Sequence, residues 1–106
     1  MAAPGYRLAV GAVGDVEQIS DYLGRHNLSA AHRVIETVFQ TIDAIAINPE
    51  MGTNLDELRP GLRMFIPPRP AANYVIFYYC DTSRITVTAV LHSARDWLGM
   101  FLRGER

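Results

Sequence analysis

Asn73-Tyr74-Val75-Ile76-Phe77-Tyr78-Tyr79, the polar turn Asp81-Thr82-Ser83, and Arg84-Ile85-Thr86-Val87-Thr88-Ala89-Val90-Leu91 form the stretch that decides the fold. Two runs rich in β-branched and aromatic residues, joined by three polar ones, predict a β-hairpin. Every residue from Tyr74 to Tyr79 is apolar or aromatic. Both faces of that strand are therefore covered, which marks it as central in its sheet. The second run alternates, with Ile85, Val87, Ala89 and Leu91 on one face and Arg84, Thr86, Thr88 and Val90 on the other. That pattern predicts one face against the core. Beyond it stand His92, Arg95, Asp96 and Trp97. Side chains at a strand terminus are held by a rigid sheet yet meet solvent, which suits recognition or catalysis.

Working back toward the start, Gly61 to Ile66 reads as another strand, stopped by Pro67-Pro68. Glu50 to Pro60 reads as an ordered loop. Before it lies the strongest periodic signal in the chain. Ala31, Val34, Val38, Ile42 and Ile45 recur at helical spacing, and Ile35, Phe39 and Ala46 widen the stripe. A stripe that wide implies burial on two sides. Ser29 is the expected N-cap of this helix, and Asn48-Pro49 ends it, because the residue before proline avoids helical geometry. An earlier helix is expected to start at Asp15, with Gln18 completing a capping box, and to end near Asn27. Val16, Ile19, Tyr22 and Leu23 give its apolar stripe. Gly11 to Gly14 reads as a break after a short first strand, Tyr6 to Val10. The helices are antiparallel neighbours because their connection is short.

The order β-α-α-β-β-β predicts one α+β domain over residues 1–106, a helical hairpin on one face of a mostly antiparallel four-stranded sheet. A length of 106 residues fits a single small domain. Apolar residues make up 49%, too many for a disordered chain. Hydrophobic runs are too short for a membrane-spanning helix, and the first residues do not read as a signal peptide. A lone cysteine, Cys80, allows no internal disulfide and no cysteine-type metal site. A cytoplasmic protein without metal or cofactor is expected. All ten basic residues are arginine, and eleven acidic residues leave a net charge of −1. Nucleic-acid binders usually carry a basic excess, so direct DNA binding by this chain alone is not expected.

Six segments, in order, resemble the ParE/RelE superfamily of toxins from bacterial type II toxin-antitoxin modules, and the ParE branch in particular. They are Asp15 to Leu23; Ala31 with Arg33-Val34-Ile35; Asn48-Pro49-Glu50-Met51-Gly52; Leu58 to Arg63; Tyr74 to Tyr78; and Val90-Leu91-His92-Ser93-Ala94-Arg95-Asp96. They cover residues 6 to 97. The resemblance implies a growth-inhibiting toxin neutralised by a cognate ParD-like antitoxin. For the ParE branch the implied target is DNA gyrase; for the RelE branch the implied action is mRNA cleavage on the ribosome.

Ribosome-dependent cleavage needs cations to orient the scissile phosphate and groups to move protons. The nuclease branch supplies these with basic residues on its second and third strands, an arginine after the last strand and a C-terminal tyrosine. Here the second of these strands offers Arg63 and the third offers none. Arg95 follows the last strand, and the tyrosine position falls near Phe101. The resemblance therefore favours binding over catalysis, and no catalytic residue is assigned. Arg59, Arg63, His92, Arg95 and Asp96 are the expected target-binding residues. Four of them also have a structural reading: Arg59 and Arg63 paired with Asp56 and Glu57, His92 closing its strand, Asp96 holding the C-terminal segment through an arginine. Ile35, Phe39 and Met51 are the expected antitoxin-binding surplus of the apolar stripe. Tyr74, Tyr78 and Tyr79 read as core rather than as a base-stacking platform.

Overall fold

A computed structural model describes residues 5–106. β1 (Tyr6–Leu8) leads into α1 (Val10–Gly24) and α2 (Leu28–Ile47). A single 3-10 turn, Pro49–Met51, precedes β2 (Thr53–Asn54), β3 (Leu62–Phe65), β4 (Tyr74–Cys80), β5 (Ile85–His92) and α3 (Trp97–Leu102). The sheet has five strands in the order β1-β5-β4-β3-β2, not four. The added strand is the two-residue β2, inside the stretch expected to be loop; Thr53 pairs with Met64 and Asn54 with Arg63. β1 runs parallel to β5, and the other pairings are antiparallel.

β4 is central, as its unbroken apolar run requires, and the two faces it presents are covered by different elements. Toward the helical hairpin, Ile76 and Tyr78 pack with Ile19, Val34, Val38, Ile42 and Ile45. On the far face, Val75 and Phe77 pack with Leu62, Met100 and Phe101. Phe77 lies 4.9 Å from the Phe101 ring and 5.2 Å from that of Trp97, centroid to centroid. α3 is therefore the second cover of the sheet.

The alternation read in β5 fails halfway. Phe77 pairs with Ala89, but the next residue, Tyr78, pairs with Val87, so Thr88 is the extra residue of a β-bulge. Ile85 and Val87 face the hairpin. Past Thr88 the faces exchange: Val90 joins the hairpin core, while Ala89 and Leu91 join the α3 core.

The helix boundaries also differ from expectation. α1 begins at Val10 and runs through Gly11 to Gly14, and Ala9 stands at its N-cap without a side-chain bond. Asp15 is interior to the helix and only 7% exposed. Its Oδ2 accepts a 2.9 Å bond from the Val90 N–H, and its carboxylate pairs with Arg106, whose Nη1 lies 2.7 Å from Oδ1. Arg106 Nη2 also reaches the Thr88 carbonyl at 3.2 Å. A Cβ on Gly11 would sit 3.1 Å from that guanidinium, so the glycine leaves room for it. Asn27, not Ser29, caps α2, its side chain accepting from the Ala30 N–H at 3.0 Å. Ser29 instead accepts from Arg33 at 2.8 Å.

Breaking a buried ion pair by removing one partner costs about 3–5 kcal/mol. Arg106 keeps some contact with water, so Arg106→Ala should cost less, roughly 2 kcal/mol. Urea unfolding at neutral pH measures this; a loss below about 0.5 kcal/mol, the level of an ordinary surface change, refutes the role.

Candidate functional site

Residues from Leu55 to Leu62 and from Trp97 to Leu102 meet on the far face of the sheet. Arg59 does not pair with a carboxylate there. Its Nη2 donates to the Phe101 carbonyl at 2.9 Å, and its guanidinium lies 5.2 Å from the centre of the Phe101 ring. A guanidinium over an aromatic face is attractive, so Arg59 ties α3 to the loop before β3. Phe101 itself is buried. Arg63 donates to the carbonyls of Gly52 at 2.8 Å and Glu50 at 3.4 Å.

The loop that Arg63 holds is held again from inside. The buried Tyr78 hydroxyl donates to the Pro49 carbonyl at 2.6 Å and accepts from the Gly52 N–H at 2.9 Å. Burial raises the Tyr78 pKa above its usual value, so the phenol stays neutral. A Cβ at Gly52 would overlap that hydroxyl and lie 2.9 Å from the Met64 carbonyl, so only glycine fits.

His92 ends β5 with its imidazole exposed. Its Nδ1 accepts from the Ala94 N–H at 3.0 Å, and its ring meets Tyr74 edge-on at 5.3 Å. That places the proton of the neutral ring on Nε2. Asp96 caps α3, accepting from the Gly99 N–H at 3.0 Å, and its other oxygen lies 3.5 Å from Arg103. Both structural readings of these residues thus have a geometric counterpart. Arg103 also pairs with Glu105, which lowers the Glu105 pKa and raises that of Arg103. All these groups are largely exposed, so the pairing carries little stability.

His92 and Arg95 line one cleft of about 410 Å³ between α1 and the ends of β4 and β5, shared with Gln18, Tyr22, Asn73 and Tyr74. Arg95 has no side-chain partner among the described residues. Burial raises the Tyr74 pKa, so its hydroxyl also stays neutral. Arg59 and Arg63 lie outside this cleft, so the five expected target-binding residues do not form one site. All three expected antitoxin-binding residues pack against the hairpin core. Ile35 and Phe39 are half-buried against the hairpin core. Met51 lines an apolar groove of about 460 Å³ between α2 and the end of β3, with Thr41, Ala44, Phe65 and Ile66.

Sequence reading missed the Asp15–Arg106 pair and the Tyr78 lock. Asp15 resembles a helix cap by its neighbours alone, and nothing local links it to a residue 91 positions away. The signal for Tyr78 was a phenol, one of three in a central strand otherwise apolar but for Cys80, since buried phenols seek a partner.

A parallel strand, a helical hairpin and an antiparallel sheet closed by α3 define a small two-faced α+β fold. The family model described as "ParE toxin of type II toxin-antitoxin system, parDE" matches residues 6–97. Toxin ParE1 of Mycobacterium tuberculosis, from strains CDC 1551 / Oshkosh and ATCC 25618 / H37Rv, is 31% identical over 93 residues, 86% of this chain and 91% of that protein. The solved structure of the chromosomal ParDE TA system from P. aeruginosa superposes with a TM-score of 0.70 at 12% identity, over 83% of this chain and 94% of that one. The chain belongs to the ParE toxin family of type II toxin-antitoxin systems. No helix among the described residues is long and apolar enough to cross a membrane.

Asp56 closes the loop before β3, accepting from the Gly61 N–H at 2.7 Å and from Asn54 at 3.0 Å. The Gly61 bond, then the Asn54 bond, lower its pKa. A folded pKa below the unfolded value of about 3.9 makes this contribution complete above roughly pH 4 and lost as acid protonates the group. The Gly61 amide resonance should therefore titrate below about pH 4. Asp56→Ala should abolish that titration; its survival in the variant shows that another group is responsible.

Proposed function

We propose that this chain arrests growth by binding DNA gyrase in the cytoplasm, and that a ParD-type antitoxin neutralises it. The observation that carries the binding reading is where the arginines go. Arg59 and Arg63, which a phosphate-orienting centre would need at the surface, are bonded to backbone carbonyls. Phe101, at the position of the nuclease branch's tyrosine, is a ring packed beneath Arg59 and has no proton to transfer. Family membership supports the toxin role, and the ParDE pairing in the P. aeruginosa system supports a ParD-type partner. Of the expected antitoxin contacts, Met51 lines a groove suited to an apolar side chain, and Ile35 and Phe39 on α2 pack against the same core. Arg95 and His92 are the groups best exposed to reach a target.

A second reading, ribosome-dependent mRNA cleavage, draws on one observation: His92 and Arg95 share a cleft, with the imidazole Nε2 unengaged among the described residues.

Purified protein should inhibit gyrase supercoiling, and Arg95→Ala should weaken inhibition by about tenfold, or about 1.4 kcal/mol. Induced expression should break DNA and leave mRNA whole. Untouched supercoiling at high micromolar protein rejects gyrase as the target. Cleaved mRNA that disappears in His92→Ala establishes the second reading instead. Absence of arrest in the hosts tested would leave a chain that only binds its antitoxin.

A further inference from the structure

With Arg59 turned onto Phe101, the surface beside it is apolar and acidic. Leu98 and Leu102, one turn apart on α3, are 49% and 69% exposed. With Trp97 they form one wall of a cleft of about 450 Å³; Leu55 and Leu58, on the loop before β3, form the other. Asp56 and Glu57 stand on the loop wall of the same cleft. Asp56 is ionised at neutral pH as any ordinary aspartate is, and the Gly61 N–H and the Asn54 amide lower its pKa further. Glu57 is exposed and has no hydrogen-bond partner among the described residues.

A single exposed leucine needs no explanation. Here, however, leucines from two elements converge on a concavity edged by carboxylates. Arg59 braces that concavity from behind by tying the loop region to α3, so the two walls keep their spacing.

We propose that this cleft between α3 and the loop before β3 docks a basic, apolar segment of the toxin's protein target, with a lysine or arginine head on Glu57 and Asp56 and an aliphatic anchor against Leu98 and Leu102. The sign of the charge selects this occupant. A duplex would bring phosphates against two carboxylates, which repel. An acidic segment would meet the same repulsion, whereas a cationic one gains complementarity that steers and orients docking. The inference rests on the reading that the toxin acts by binding a protein, and it names the chemistry of the contact.

The test is an NMR titration of the isotope-labelled full chain with a lysine–leucine amphipathic peptide and with a matched glutamate–leucine peptide. The basic peptide should shift the amides of Leu55, Glu57, Leu58, Leu98 and Leu102, and the acidic one should leave them in place. Glu57→Arg combined with Leu98→Ser should weaken the basic peptide at least tenfold. Glu36→Arg, on the exposed side of α2, should not change it. Equal binding of both peptides, shifts that map elsewhere, or a double variant that binds like wild type overturns the inference.

In cells, the double variant should lose growth arrest while still binding its antitoxin. Loss of arrest together with a wild type that does not inhibit gyrase would keep the docking cleft and reject gyrase. Gyrase inhibition that persists in the double variant would keep gyrase and reject the cleft. A double variant that loses antitoxin binding but keeps arrest would assign the surface to the antitoxin. A wild type that is dimeric and becomes monomeric in the double variant would assign it to a second copy; either assignment overturns the proposal.

Discussion

One residue of β5 sets the arrangement of the whole molecule. Thr88 is surplus to the pairing with β4, and side chains alternate across a strand, so a single insertion exchanges the faces of everything that follows. The strand thereby serves two cores: Ile85, Val87 and Val90 for the helical hairpin, Ala89 and Leu91 for α3. The same irregularity falls where β1 has ended, because β1 pairs with β5 only as far as Val87. The Thr88 carbonyl and the Val90 N–H are left at an open edge. Unmet backbone groups are costly where water is excluded, and Arg106 and Asp15 meet them with side chains in place of a strand. Gly11 in α1 then leaves the space the guanidinium needs.

The elements legible in the sequence were those whose signal is local and repeated. The stripe from Ala31 to Ile45 gave α2, and all five of its residues are buried. The run from Tyr74 to Tyr79 gave a central strand because its composition alone demands cover on both sides. Asn48-Pro49 ended α2 where expected. The errors came where a distant partner outweighs the local pattern. Asp15 looks like a cap only until Arg106 and Val90 are beside it. Gly11 and Gly14 look like a break, yet the helix passes through them. The alternation of β5 gave no warning of the bulge, because threonine and valine suit either face. β2 escaped notice because two residues carry no periodicity.

Site residues were less legible than the fold. An arginine in a sequence carries its charge but not its direction, and the carbonyls that capture Arg59 and Arg63 belong to segments 42 and 11 residues away. Asp96, expected either at the target surface or holding the C-terminal segment through an arginine, caps α3 and lies 3.5 Å from Arg103. The leucines of α3 drew no attention in the sequence. A six-residue helix has too few turns to show a stripe, and their exposure depends on how α3 lies over Phe77 and Leu91.

The pair between Asp15 and Arg106 closes a loop of 91 residues. Contacts that distant in sequence form late, because the chain must first give up the entropy of bringing their ends together. The hairpin of α1 and α2, built from near neighbours, has no such wait. Docking of α3 on the sheet also joins near neighbours, since Phe77 meets Phe101, whereas seating α1 on β5 spans the 75 residues between Asp15 and Val90. The cleft on α3 thus rests on contacts of modest sequence separation, while the clamp between Asp15 and Arg106 depends on the whole fold being in place.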